Sequence, residues 1–117
     1  MKKVLIVDSS ANMRNKLKML LQKHGFEVVG EAEDGRIAVK KFKELTPDIV
    51  TMELDLPLMD GLEALKAIRQ MDPDAKVAII TSQDCSKTIR TVSALGAKEY
   101  LLKSFSRERI IQALKAL

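Results

Sequence analysis

The segment Thr51-Met52-Glu53-Leu54-Asp55-Leu56-Pro57-Leu58-Met59-Asp60-Gly61 holds the residues of this sequence best placed to do chemistry. The run that leads into it, Pro47-Asp48-Ile49-Val50-Thr51-Met52, is short, apolar and β-branched, which predicts a buried strand delivering Glu53 to its carboxyl end. In open α/β sheets that end is where ligands and reacting groups sit. On an extended chain Asp55, two residues on, points to the same side as Glu53. A carboxylate at such a place is chemically capable of acting as a nucleophile.

The other reactive side chains are isolated. Cys85 has no cysteine to pair with and no histidine at ligand spacing, which suits a reducing cytosol and argues against a disulfide frame or a zinc site. Next to Gly25, His24 reads as a helix-end residue favoured by the helix dipole. Cys85, near the start of a helix, reads as a partly buried thiol.

Around the carboxylates, apolar strands alternate five times with amphipathic helical segments, the pattern of a parallel sheet covered on both faces. Lys3 to Asp8 predicts the first strand, and Ser10 caps a helix whose Met13, Leu17, Leu20 and Leu21 fall on one stripe until His24-Gly25 stops it. Phe26 to Glu31 follows as a strand, then Asp34-Gly35 and a helix presenting Ala38, Phe42 and Leu45. Gly61 opens the next helix, with Leu62, Leu65, Ala67 and Ile68 inward, before a strand from Lys76 to Thr81. A helix from about Asp84 to Leu95 is rich in β-branched residues and leans on packing rather than propensity. Gly96 ends it, Lys98 to Lys103 forms the fifth strand, and Arg107 to Leu117 the last helix.

With 117 residues, 46% hydrophobic and 31% charged, the chain reads as one globular domain over 1–117. Its longest apolar runs, such as Val77-Ala78-Ile79-Ile80, are too short to span a bilayer, and the start reads as a strand rather than a signal peptide. The expected location is the cytoplasm. The net charge of +4 comes largely from lysines, Lys16, Lys23, Lys40 and Lys43 among them, that alternate with apolar positions as on a solvated helix face. With Phe26, Phe42, Phe105 and Tyr100 as the only aromatics, the chain lacks the stacking residues and reading element of a nucleic-acid binder.

Four motifs in order give the chain a resemblance to the receiver domain of two-component response regulators, especially the stand-alone chemotaxis-regulator type, over essentially its whole length. They are Val4-Leu5-Ile6-Val7-Asp8, Pro57-Leu58-Met59-Asp60-Gly61, Thr81 ending the fourth strand, and Gly96-Ala97-Lys98-Glu99-Tyr100-Leu101-Leu102-Lys103. The resemblance implies a doubly wound, flavodoxin-like α/β fold, a five-stranded parallel sheet in the order 2-1-3-4-5 with two helices on one face and three on the other. It implies a signalling role rather than an enzyme: a histidine kinase passes a phosphoryl group to an aspartate after strand three, and two acids after strand one help hold magnesium. Metal and lysine then neutralise the phosphoryl charge. By the same resemblance Thr81 and Ser82 are phosphate-contact positions, Tyr100 is a switch aromatic, Lys103 is the site lysine, and the surface of helix four, strand five and helix five receives a protein partner.

Three positions depart from that pattern together. Glu53 stands at the phosphoryl-acceptor position, Ser9 where the second acid of the pair would ligate metal, and Ser104 where a proline follows the lysine, so a trans Lys103-Ser104 bond is expected. Asp8, Glu53 and Asp55 remain as the metal set, a weakened one because of Ser9. The extra methylene of Glu53 moves the attacking oxygen by about 1 Å, a misplacement that costs about a hundredfold in a reaction run on positioning. The leading expectation is therefore a divergent receiver that works by protein-protein interaction with phosphorylation lost. An active phosphorelay receiver using magnesium stands as the alternative, and a nucleic-acid-binding domain as a distant third. Glu53 either mimics a phosphorylated state near Lys103, Thr81 and Ser82 or forms an ion pair with Lys103 that leaves one inert conformation.

Overall fold

The computed structural model describes residues 1–117. Five strands and five helices alternate without exception: β1 (Lys3–Val7), α1 (Ala11–Lys23), β2 (Glu27–Ala32), α2 (Gly35–Leu45), β3 (Ile49–Met52), α3 (Gly61–Met71), β4 (Val77–Thr81), α4 (Ser86–Ala94), β5 (Glu99–Leu102) and α5 (Arg107–Lys115). The strands form one sheet in the order β2-β1-β3-β4-β5, every pair parallel, which is the order the resemblance implied.

Helix starts follow side-chain chemistry. Ser10, Asp34, Asp60 and Ser106 each stand extended before a helix and accept a hydrogen bond from the backbone N–H three residues on, which satisfies an otherwise orphaned donor. Asp34 is thus the cap of α2 rather than part of a break. α4 is the exception: Cys85 occupies its cap position without a capping bond as a thiol, and Val92 is its one fully buried residue.

Alternation along the strands sends side chains to two cores. Leu5, Val7, Val50, Met52, Val77 and Ile79 face α2, α3 and α4, whereas Val4, Ile6, Ile49, Ala78, Ile80 and Leu101 face α1 and α5. β3 and β4 are buried at every position, as central strands covered on both faces must be. In α3 the buried residues are Gly61, Ala64, Leu65 and Ile68, a stripe at i, i+3, i+4 and i+7, so Ala64 takes the place the periodicity assigned to Ala67. α1 buries only Leu21 completely; Met13, Leu17 and Leu20 border an open groove of about 910 Å³ against Phe105 and Ile110.

No helix is long and apolar enough to cross a membrane. Every peptide bond is trans, Lys103-Ser104 included. Cys85 is exposed, not partly buried as the sequence suggested.

Candidate functional site

Sheet register brings the two acids together before any side chain is considered. Val7 pairs with Met52, and the Glu53 N–H donates to the Val7 carbonyl at 3.0 Å, so Asp8 and Glu53 leave adjacent strands side by side. On the far side of β4, Thr81 pairs with Leu102, and the Lys103 N–H donates to the Thr81 carbonyl at 2.8 Å. That bond fixes the origin of a side chain long enough to reach back across β4.

The Lys103 ammonium sits between the acids, 2.9 Å from Asp8 Oδ2 and 3.0 Å from Glu53 Oε1. The remaining carboxylate oxygens are also taken: Ser10 N–H donates to Asp8 Oδ1 at 2.9 Å, and Leu54 N–H donates to Glu53 Oε2 at 2.8 Å. Asp8 is 7% exposed and Glu53 6%, so four short contacts are made with little water to compete. Burial acts to lower the Lys103 pKa, but its hydrogen bonds to Asp8 and Glu53 reverse that and hold it above the ordinary lysine value. The ammonium therefore stays charged at neutral pH, leaving the trio at a formal −1.

Asp55 does not join them. β3 ends at Met52, so period-two alternation lapses before Glu53, and the following turn buries Leu54 and Leu56 while leaving Asp55 exposed. Asp8, Glu53 and Asp55 accordingly do not form a group of three acids able to hold a metal ion. Ser9 is exposed. The donor set as folded does not fit magnesium: two carboxylates are available, each with both oxygens engaged, and an ammonium already lies between them.

Thr81 is fully buried, and its hydroxyl accepts from the Gln83 N–H at 3.2 Å rather than bonding Glu53; Ser82 is exposed beside it. Tyr100 is half-buried against the core on the α4 side, and its hydroxyl donates to the Gln83 carbonyl at 2.5 Å. Burial raises the Tyr100 pKa, and the negative charges of Cys85, Asp84 and Glu53 add to that. Gln83 thus links Thr81 to Tyr100 through its own backbone, a connection no side-chain motif announced.

Arg14 was also invisible in the sequence. It reaches from α1 to donate to the Asp8 carbonyl at 2.7 Å and pairs with Glu31 at 3.2 Å, where Lys18 lies 3.7 Å from the other carboxylate oxygen. Only the docking of α1 beside β2 makes these residues neighbours.

Comparison with known proteins places this arrangement among signalling domains. Residues 4–115 match the response regulator receiver domain. The chemotaxis protein CheY of Thermotoga maritima is 44% identical over 113 residues, covering 97% of this chain and 94% of that protein. The CheY of Bacillus subtilis is 42% identical over 112 residues, 96% and 93% of the two chains. Among solved structures, a CheX-CheY-BeF3-Mg complex from Borrelia burgdorferi superimposes with a TM-score of 0.95 at 31% identity, covering 98% of this chain and 87% of that one.

Proposed function

This chain belongs to the response regulator receiver domain family, and from that premise we propose that it signals by protein-protein interaction without accepting a phosphoryl group. The observation that carries this reading is the engagement of Glu53. The residue at the acceptor position has one carboxylate oxygen on Lys103 and the other on the Leu54 N–H, so neither is presented as a free nucleophile. Its extra methylene also carries the oxygen past the position that an aspartate would give it, and phosphoryl transfer depends mainly on positioning.

The domain then acts as a fixed module, in the cytoplasm, with no catalysed reaction of its own. Its partner docks on the surface of α4, β5 and α5, where Tyr100 is tied to Gln83 and α4 is lightly anchored. Thr81, Ser82 and Lys103 keep the residue types of a phosphate site, but Thr81 and Lys103 are turned to internal bonds.

Incubation of the intact chain with a small-molecule phosphodonor and magnesium, followed by intact mass, tests this. The expected spectrum is unmodified protein. A labile adduct of one phosphate mapped to Glu53 would establish instead an active phosphorelay receiver served by a histidine kinase.

A further inference from the structure

We propose that Lys103 is the resident cation of this site, its ammonium taking the charge and the oxygen contacts that a divalent metal would need, so that the domain folds and works independently of magnesium. The inference deepens the proposed function, because it rests on the same closed arrangement of Asp8, Glu53 and Lys103. It adds that the arrangement excludes a metal rather than merely lacking a use for one.

The ammonium has the place a bridging cation would have. It lies within 3.0 Å of one oxygen from each of two carboxylates that directly follow separate strands. Its backbone is pinned to Thr81, so its reach is directed and not left to a free side chain. The second oxygen of each acid accepts from a backbone N–H, which sets the carboxylate planes with their Lys103-facing oxygens toward the ammonium. No third acid, histidine or cysteine stands near to complete a hard-cation shell.

Magnesium binds at about 2.0–2.1 Å in a demanding octahedron and gives up its water reluctantly. To enter, it would have to displace Lys103 and strip both carboxylates of a charge-assisted bond, while receiving only two acids in return. A fixed ammonium needs no ion from solution and supplies the neutralising charge at all times. Asp8 and Glu53 are consequently held in one arrangement whatever the cation concentration.

The test uses the isotope-labelled intact chain. A half-buried lysine held by two carboxylates gives an observable ammonium resonance, and the expectation is that the Lys103 signal does not move when magnesium is raised to millimolar levels at constant ionic strength. The melting temperature of the unaltered chain should likewise be the same in magnesium and in chelator. In Lys103→Met, which leaves the two acids without their cation, magnesium should raise the melting temperature by several degrees where sodium at equal ionic strength does not.

A magnesium-dependent shift of the Lys103 resonance or of melting in the unaltered chain overturns the proposal. So does a Lys103→Met protein that folds and gains no response, since Lys103 would then not be what keeps the metal out. If that variant does not fold, the ammonium resonance decides alone. A phosphate adduct on Glu53 together with an unmoved Lys103 signal would overturn the proposed loss of phosphorylation and leave this inference standing.

Discussion

Lys103 gives the domain a charge clasp whose strength depends on its staying protonated. Burial acts against the ammonium and the hydrogen bonds to Asp8 and Glu53 more than compensate, so the folded pKa lies above the ordinary 10.5. A group raised in the folded state contributes stability that is fully present below its unfolded value and is lost as pH rises through the folded one. Melting followed against pH should therefore hold toward 10.5 and fall beyond it. Tyr100 is raised above 10.0, first by burial, and acts in the same direction, so the difference between the chain and Lys103→Met isolates the lysine's share. At neutral pH the same substitution, by leaving two buried carboxylates unpaired, should cost about 3 kcal/mol in denaturant unfolding. The residue types at this site were legible in the sequence, because motif spacing names Asp8, Glu53 and Lys103. Which oxygen meets which donor was not, since the two Lys103 contacts join residues 50 and 95 positions apart, from the numbering 103 − 53 and 103 − 8.

At the scale of elements, the junction of β3 with α3 sets where Glu53 points. Gly61 begins α3 directly behind it, its N–H donating to the Leu54 carbonyl at 2.9 Å. A Cβ added there would lie 2.1 Å from the Glu53 carbonyl oxygen and 2.7 Å from Leu54 Cα, so the backbone carrying Glu53 would have to move. Gly61→Ala should cost about 2 kcal/mol, in the range of overpacked sites, and shift the amide resonances of Glu53 and Leu54. Gly25, at φ +85 with nothing within 4 Å of an added Cβ, offers the contrast. Gly25→Ala should cost about 1 kcal/mol through backbone strain alone and leave those two resonances unmoved. The same junction explains the misplacement of Asp55: a four-residue strand ends too early for alternation to reach it, and the turn that follows is shaped by burying Leu54 and Leu56.

For the whole molecule, stability rests on two apolar layers pressed against one sheet. Ile79 sits at their centre in β4, without exposure, in the layer shared with α2, α3 and α4. Ile79→Ala should lower unfolding free energy by about 3–4 kcal/mol, a large fraction of what a domain of this size has, whereas Met19→Ala, at a position 63% exposed, should change it by less than about 0.5 kcal/mol. Chemical denaturation of both variants measures the contrast. Element order was readable in the sequence, because hydrophobic period and capping residues are local properties that a chain carries with it, whereas the strand order came with the resemblance and the layer each helix covers only with the structure. The helix stripes were read less sharply on α1 and α3, where Leu17 and Leu20 stay half-exposed and Ala64 replaces Ala67, since burial depends on what lies opposite. Sequence by itself determined that two acids and a lysine would end three parallel strands at one edge of the sheet. Only tertiary structure decided that the lysine would lie between the acids, that Arg14 and Gln83 would brace the surroundings and that Asp55 would be left in solvent, because a few ångströms of side-chain reach across β4 depend on register and twist rather than on spacing along the chain.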